Sequence, residues 1–205
     1  MVKTPYKLIL GSTSPRRKEL MQATFLKYEV SVADITEVSE CTVPSDIALD
    51  IALQKARAVL DKSKEENPLI LAADTIVVLG DKILGKPKDE DEARIMLSSL
   101  SGKTHQVITG VALLSREKNM TFFESTQVSF NEIDDDLMDY YIKTGESLDK
   151  AGAYGIQGYG LSFVANVEGS YSNVVGLPVD KVIIKIKEFV QMADDLKGIW
   201  RSYFD

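Results

Sequence analysis

The chain has 205 residues and a formal net charge of −7, from 24 basic and 31 acidic side chains. This charge argues against a protein that coats nucleic-acid polymers, because such binding depends on a basic surface. With 44% hydrophobic and 27% charged residues, the composition excludes a disordered chain. It predicts a globular protein of one domain or of two closely joined lobes.

The chain has one cysteine and one histidine, and each limits the kinds of bond or metal site that it can form. Cys41 is the single cysteine, so the chain can form no internal disulfide, and we expect a cytoplasmic location in a reducing compartment. His105 is the single histidine, which excludes a multi-histidine metal site and leaves oxygen ligands of the kind that Mg²⁺ or Mn²⁺ prefers. The apolar stretch near the N-terminus is too short for a signal peptide or a membrane span, so we expect no membrane partner.

The first half of the chain is predicted to alternate strands and helices. The expected elements are a short buried strand at 6–10, a helix from Pro15 to about residue 24, a candidate strand at 28–33 and a long helix at 45–62. Ser14 and Ser45 are the expected N-caps of the two helices, and Pro15 suits a first helical position.

The second half is richer in strands. The apolar run at 69–80 is expected to pair in a hairpin with DKILG at 81–85, and Asp89 and Glu92 have the spacing of a capping box. The other expected elements are a helix at 89–100, strands at 104–115 and 119–131, a helix ending at Gly145, a glycine-rich loop at 149–160, a strand at 161–169 and a helix from Pro178 to about residue 190. We therefore expect an α/β or α+β protein with a mixed sheet and flanking helices.

The segment GSTSPRRK places three cations, Arg16, Arg17 and Lys18, in the first turn of a helix, where they oppose the helix dipole. An anion bound at this end would explain them. The hydroxyls of Ser12 and Ser14, the backbone N–H groups and the basic side chains would then converge on a phosphate. The alternative is an ordinary solvated basic turn.

Asp74 and Lys55 are charged residues in apolar surroundings. Asp74 interrupts the strand run LILAADTIVVL, where an unpaired buried carboxylate is costly, so a metal ion or a nearby lysine would have to stabilise it. Lys55 lies on the apolar face of its predicted helix, with Ile51 and Val59 one turn away on either side. The alternatives are an Asp that faces solvent at a strand end and a lysine that reaches the surface along its aliphatic stem.

The segment AGAYGIQGYG has four glycines in ten residues, which would allow a ligand to approach the backbone closely. Gln157 lies among them, and its amide can both donate and accept. One such amide could satisfy two of the neighbouring groups on the edge of uracil or thymine. The alternative is an ordinary glycine-rich turn. Together with the phosphate loop, the carboxylate and the lysine, this set of residues suits cleavage of a nucleotide phosphoanhydride.

Six segments in order along the chain resemble the Maf family, which is named for septum formation. They are LILGSTSPRRKEL, AADTIVV, ILGKPKDEDEA, LSGKTHQVITGVAL, GESLDKAGAYGIQG and NVVGLP, spanning about residues 7–178. The segment from about residue 190 matches nothing in the family. The resemblance implies one Maf-like domain over residues 1–205, with an elongated, two-lobed α/β fold around a central cleft, similar to that of inosine triphosphate pyrophosphatases.

The resemblance also implies an activity and residue roles. Such proteins are nucleoside triphosphate pyrophosphatases that clear the nucleotide pool, releasing a nucleoside monophosphate and pyrophosphate. The family's general base falls on Asp74, its loop glutamate on Glu37 and its two lysines on Lys55 and Lys86. Its phosphate loop falls on residues 12–17, which include Ser12, Ser14, Arg16 and Arg17.

Three positions distinguish branches of the family, and they fall here on Arg16, Thr75 and Gln157. These residues resemble the branch that acts on dTTP and UTP, whereas the branch that acts on 7-methyl-GTP differs at the first of them. The setting of Glu37, Asp34-Ile35-Thr36-Glu37, departs from the family's usual Asp-Ile-Asp-Glu-like pattern. Asp34 and Glu40 therefore remain alternatives to Glu37.

The resulting hypothesis is that Mg²⁺ or Mn²⁺ lies between Glu37, Asp74 and the triphosphate, and that Asp74 activates the attacking water. Lys55, Lys86 and Arg17 would neutralise the developing charge. The expected partner is a nucleoside triphosphate, and the sequence leaves open whether the chain forms a homodimer. Two other functions remain open: a nucleotide-binding regulator of septum formation with little turnover, and the same reaction on 7-methyl-GTP or modified pyrimidines.

Overall fold

A computed structural model describes residues 5–190 and 199–200 of the chain. In these residues there are seven strands: β1 Lys7–Leu10, β2 Glu29–Val30, β3 Pro68–Leu79, β4 Lys82–Leu84, β5 Thr104–Leu114, β6 Asn119–Phe130 and β7 Val164–Glu168. The same residues form six α-helices: α1 Pro15–Gln22, α2 Pro44–Lys62, α3 Glu90–Leu100, α4 Asp135–Lys143, α5 Tyr171–Val175 and α6 Val179–Phe189. Most of the unmatched segment from about residue 190 lies outside the described residues. No helix in the described ranges has the length and apolarity needed to cross a membrane.

The strands form one seven-stranded sheet in the order β2-β1-β3-β5-β6-β7, with β4 paired to β3. β1 runs parallel to both β2 and β3, whereas the pairs β3–β4 and β6–β7 are antiparallel. The predicted mixed sheet with flanking helices is therefore confirmed, and the protein is of the α/β class.

The chain divides into two compact units. The first contains residues up to Asp74, residues 110–123 and those from Gly176 on, and the second contains residues 75–109 and 124–175. Strands β3, β5 and β6 each contribute residues to both units. This division into two units does not test the prediction of a single domain, which stays a prediction.

In the first unit, β3 is buried on both faces. Leu69, Leu71 and Ala73 pack in one hydrophobic cluster, and Ile70 and Ala72 pack in another against α2. The alternation of successive side chains across a strand explains this division.

Helix α2 packs closely against the sheet through three alanines. Ala48, Ala52 and Ala56 are all fully buried. A Cβ atom added to Gly110 on β5 would lie 2.4 Å from the Ala48 carbonyl group, so only glycine permits this approach. The close packing fixes the helix that carries Lys55.

The core of the second unit is rich in aromatic rings. His105 and Tyr154 join through a 2.7 Å hydrogen bond, and both rings make edge-on contacts with Phe130. Burial lowers the pKa of His105 to about 4, so the imidazole is neutral at physiological pH. The single histidine is thus a core residue of this unit.

Four sequence predictions need correction in detail. The second strand is only Glu29–Val30, and the strand expected from residue 161 begins at Val164, because residues 158–163 form a 3₁₀ turn. Helix α2 begins at Pro44, so its N-cap is Val43 and not Ser45. In the expected capping box, the Asp89 carboxylate accepts from the Glu92 N–H, but the Glu92 carboxylate accepts from the N–H of Lys88, one residue before the cap.

Candidate active site

Asp74 lies in β3 of the first unit and is 9% exposed. It continues the face of β3 that carries Ile70 and Ala72, which pack against α2. The Lys55 ammonium of α2 donates to its Oδ1 over 2.6 Å. A carboxylate in this strand was expected to need a metal ion or a lysine beside it, and Lys55 is such a lysine.

Lys55 also contacts a second carboxylate. Its Nζ lies 2.9 Å from Oε1 of Glu37, so one ammonium group joins the carboxylates of Glu37 and Asp74. Its neighbours Ala52, Ala56 and Val59 are buried, which directs the side chain along the helix towards the sheet. The Lys55 ammonium therefore contacts two carboxylates instead of extending into solvent.

The loop that carries Glu37 offered three candidate acids, and only Glu37 has a described contact with Lys55. Asp34 and Glu40 are exposed. The Glu37 side chain keeps 47% of its surface exposed, against 13% for Asp74. The two carboxylates at Lys55 thus lie in different environments, one at the surface and one mostly buried.

The loop before α1 has the expected capping geometry but fewer open N–H groups than predicted. The Ser14 hydroxyl accepts from the Arg17 N–H at 3.5 Å, the Ser12 hydroxyl accepts from the Ser14 N–H at 3.2 Å, and Pro15 has no N–H. Two of the N–H groups that the sequence assigned to a phosphate are therefore bound to serine hydroxyls. The hydroxyls and the cations of this turn remain the candidate anion ligands.

Arg17 belongs to the same cluster as the two carboxylates. Its Nε donates to the carbonyl of Gly176 at 2.7 Å, which fixes the guanidinium in place. Burial lowers the pKa of Arg17, and the nearby charges of Asp74 and Glu37 oppose that shift. Arg17 stays protonated, because an arginine pKa lies far above neutrality. The first unit thus brings together two acids, Lys55 and Arg17.

Three of the predicted residues, Thr75, Lys86 and Gln157, lie in the second unit. The Thr75 hydroxyl is 2.9 Å from the hydroxyl of Thr109 on β5. Lys86 is exposed in the loop after β4. The N–H of Gly152 donates to the carbonyl of Gly85 in this loop, so the loop of Lys86 is tied to the glycine-rich segment.

Gln157 is half-buried in an extended conformation between Gly155 and Gly158. A side chain at either glycine would press on a neighbouring side chain within the unit. A Cβ at Gly155 would lie 2.6 Å from Lys150 Cε, and one at Gly158 would lie 2.7 Å from Glu146 Oε1. These glycines let the segment pack against the preceding turn, which is a different reason from the close ligand approach inferred from the sequence.

Sequence reasoning missed Glu146 and Lys150, two charged residues that lie beside this segment. The Glu146 carboxylate accepts from the Tyr159 N–H at 3.5 Å. The Lys150 ammonium donates to the Glu146 carbonyl and to the Asp149 carboxylate. The only available signal was their place in the motif GESLDKAGAYGIQG, directly before the glycines.

A divalent cation fits the donor set of the first unit. In the described residues no group of three or more His, Cys, Asp or Glu side chains could hold a metal. Two carboxylates, Glu37 and Asp74, nevertheless lie close together, since both contact the Lys55 ammonium. Two carboxylates completed by substrate phosphates and water are a common arrangement for Mg²⁺.

Comparisons with known proteins agree with the segments quoted above. A family model described as Maf, Maf-like protein, matches residues 7–189. A dTTP/UTP pyrophosphatase from Bacillus cytotoxicus is 50% identical over 184 residues, covering 89% of this chain and 95% of the relative. The dTTP/UTP pyrophosphatase of Bacillus cereus strain G9842 is 48% identical over the same shares.

A solved structure of a nucleoside-triphosphatase / dITP/XTP pyrophosphatase from Mycobacterium abscessus aligns with 88% of this chain and 94% of its own. The TM-score is 0.40 at 14% identity, which is too low to establish a shared fold. The family model, by contrast, spans most of the chain, including Glu37, Lys55 and Asp74. The chain belongs to the Maf family.

Proposed function

We propose that this chain hydrolyses dTTP and UTP to the nucleoside monophosphate and pyrophosphate, and so removes these or related pyrimidine nucleotides from the pool. Membership of the Maf family supports the proposal, as do the names of relatives that are about half identical over nearly their whole length. The observation that carries it is the contact of Lys55 with both Asp74 and Glu37.

The residues of the first unit suit attack of water on the α-phosphorus. Asp74 would accept a proton from the water as the new P–O bond forms and the bond to the β-phosphate breaks. Its position is fixed because β3 is buried on both faces and because Lys55 holds the carboxylate at 2.6 Å. A base held in one position needs little reorganisation during the reaction.

The cations would neutralise the charge that develops on the leaving pyrophosphate. Lys55 and Arg17 are held by short contacts to fixed groups, so they are already oriented before substrate binds. Ser12, Ser14 and Arg16 would bind phosphate oxygens beside them, and Lys86 would contribute a further positive charge.

Glu37 and Asp74 would hold a divalent cation, Mg²⁺ or Mn²⁺. When bound, such an ion supplies charge neutralisation at the phosphate oxygens and lowers the pKa of a coordinated water. Hard oxygen ligands of this kind fit either ion.

Gln157 and Thr75 are the proposed base-reading residues. A glutamine amide can donate to O4 of uracil or thymine while its oxygen accepts from the neighbouring ring N–H. The packing of Gly155 and Gly158 against Lys150 and Glu146 would hold that amide in one place.

The test is pyrophosphate release from dTTP and UTP with Mg²⁺ or Mn²⁺, in the wild type and in Asp74→Asn. Loss of the general base should lower kcat by at least roughly a hundredfold. Asp81→Asn, which changes an exposed aspartate in the β3–β4 turn, is the matched control and should retain full activity. Near-normal turnover by a folded Asp74→Asn protein would contradict the mechanism. A wild type that binds dTTP without releasing pyrophosphate would favour the regulator.

A further inference from the structure

The loop that carries Glu37, residues 31–43, is mostly exposed and forms neither helix nor strand. Residues 36–38 are all exposed, and Val38 keeps 63% of its surface in solvent. Exposed side chains bury little apolar surface, so hydrophobic packing holds the middle of the loop only weakly. The polar contacts of this part of the loop therefore matter for its position.

Gln54 of α2 makes such a contact with the residue after Glu37. Its side-chain Nε2 donates to the backbone oxygen of Val38 over 2.7 Å and to Oδ2 of Asp50 over 3.0 Å. An amide nitrogen has two protons, and these two acceptors use both of them. The amide oxygen could not take this place, because it would face a carbonyl and a carboxylate that only accept. The orientation of the Gln54 side chain is therefore determined by its partners.

Asp50 makes Gln54 a firm point of attachment for the loop. The two residues are four positions apart on α2, so their side chains are neighbours on one face of the helix. Both are half-buried, and a hydrogen bond to a carboxylate is stronger than one between neutral groups. The helix is itself held against the sheet by its buried alanines. Gln54 thus donates to the loop from a rigid element.

Gln54 and Lys55 are adjacent on α2 and contact adjacent residues of the loop, but they do so in different ways. Lys55 contacts the half-exposed carboxylate of Glu37 at 2.9 Å, and an ion pair of this kind contributes little to holding a loop. Gln54 instead bonds to the backbone one residue away, and consecutive Cα atoms are about 3.8 Å apart. This bond restrains the position of Glu37 and leaves its carboxylate available to other ligands.

We propose that Gln54 is a positioning residue that holds the loop on α2, so that the Glu37 carboxylate stays near Asp74 and Lys55, where it would bind a divalent cation. The proposal rests on the proposed function, because it takes Glu37 as a ligand of that ion. The amide is neutral and bonds to the backbone, so it places the carboxylate without changing the charge of the site. Gln54 should therefore influence the affinity for metal and have little effect on the chemical step once metal is bound.

Cys41 allows the mobility of the loop to be measured directly. It is the single cysteine of the chain and is exposed within the loop, so a nitroxide label on it reports the motion of this segment by EPR spectroscopy. The labelled wild type is compared with Gln54→Leu, which keeps a side chain of similar size and removes both donors. Gln127→Leu makes the same change at an exposed position of β6 and is the matched control. The label should give sharper lines in Gln54→Leu and an unchanged spectrum in the control.

The second measurement is the binding of Mn²⁺ alone to the unlabelled proteins, followed by water-proton relaxation. Glu37→Gln defines the part of this binding that depends on the Glu37 carboxylate. Gln54→Leu should weaken that part by about three- to tenfold, the scale of one hydrogen bond. In a protein that already carries Glu37→Gln, Gln54→Leu should have no further effect, because its influence passes through Glu37.

The third measurement is the Mn²⁺ dependence of pyrophosphate release from UTP. Gln54→Leu should need about three- to tenfold more Mn²⁺ for half-maximal activity, in line with its weaker binding. Its kcat at saturating Mn²⁺ should stay within about threefold of the wild type, because the ligands and the base are unchanged. Gln127→Leu should match the wild type in both quantities.

Three outcomes would overturn the proposal. A folded Gln54→Leu protein with wild-type label mobility would show that the bond to Val38 does not hold the loop. A more mobile label with unchanged Mn²⁺ affinity, or with an equal loss of affinity in the Glu37→Gln background, would show that Gln54 does not act through Glu37. The third outcome is Mn²⁺ binding by the wild type that is independent of Glu37. Failure of the proposed function is a separate result, because it appears as absent pyrophosphate release in the wild type, whereas the label and Mn²⁺ measurements use no nucleotide.

Discussion

Replacing Lys55 by methionine removes one ammonium group from two carboxylates that differ in burial. Methionine keeps the length and apolar character of the stem, so packing beside Ala52 and Ala56 should be preserved. Asp74 would then be left as a mostly buried carboxylate without its 2.6 Å partner, whereas Glu37 would remain largely solvated. The two contacts should therefore differ sharply in their contribution to the free energy of unfolding.

The exposure of each side chain sets the expected size of the two coupling energies. In the pair of Lys55 and Asp74, 19% and 13% of the side-chain surfaces are exposed. Breaking a fully buried pair costs about 3–5 kcal/mol, and partial solvation here reduces the expected coupling to about 2 kcal/mol. Glu37 is 47% exposed, and surface pairs contribute about 0.2–1 kcal/mol, so its coupling to Lys55 should stay below about 1 kcal/mol.

The assay is a pair of double-mutant cycles followed by urea unfolding at pH 7. One cycle uses Lys55→Met with Asp74→Asn, and the other uses Lys55→Met with Glu37→Gln. Lys55→Met alone should also lower pyrophosphate release by at least about a hundredfold, because a charge-stabilising group is lost. Equal coupling energies in the two cycles would refute the argument that burial of Asp74 makes Lys55 its essential partner.

Two further predictions concern the second unit. His105 is the single histidine, so its imidazole can be titrated by proton NMR without overlap from another histidine. Burial lowers its pKa to about 4 from an ordinary value of 6.5. A titration midpoint near 6.5 would contradict its buried state. Because the folded pKa is lower than the unfolded one, the neutral imidazole contributes stability above pH 6.5 that is lost as the pH falls towards 4, by about 3 kcal/mol in all. Gln157→Glu should impair hydrolysis of UTP and dTTP, because the amide donor to O4 becomes an acceptor. An unchanged ranking across a panel of nucleoside triphosphates would remove Gln157 from base reading.

The sequence by itself determined most of the local structure around Asp74. A carboxylate inside an apolar run of strand-forming residues was predicted to be buried, with a solvent-facing strand end as the alternative, and the structure places it at 9% exposure. The position of Lys55 on the apolar face of α2 followed from helical spacing in the same way. Ser14 and Pro15 also predicted the start of α1, because capping depends on neighbouring residues alone.

The tertiary structure shows that Glu37, of the three acids in its loop, contacts Lys55. Residues 31–43 form neither helix nor strand, so no periodicity predicts which side chain points towards Lys55. The contact depends on how the loop folds back towards Lys55 of α2, which lies 18 residues further along the chain. Family resemblance indicated Glu37, and the described contact agrees with that choice.

The contacts between Thr75, Thr109 and Asn173 could not be predicted from the sequence either. Thr75 and Thr109 are 34 residues apart, and Thr109 and Asn173 are 64 residues apart. Each is an ordinary polar residue in its local segment. Only the packing of β3, β5 and α5 decides which groups these hydroxyls contact.

Both the local sequence and the tertiary structure are needed to explain the surroundings of Asp74. The apolar run around it favoured a buried charged group that needs a partner over a solvent-facing strand end, because local sequence influences burial along a strand. Which partners it has was decided by the tertiary structure, since Lys55, Arg17 and Glu37 come from separate segments that meet only when α1, α2 and their loops pack on the sheet.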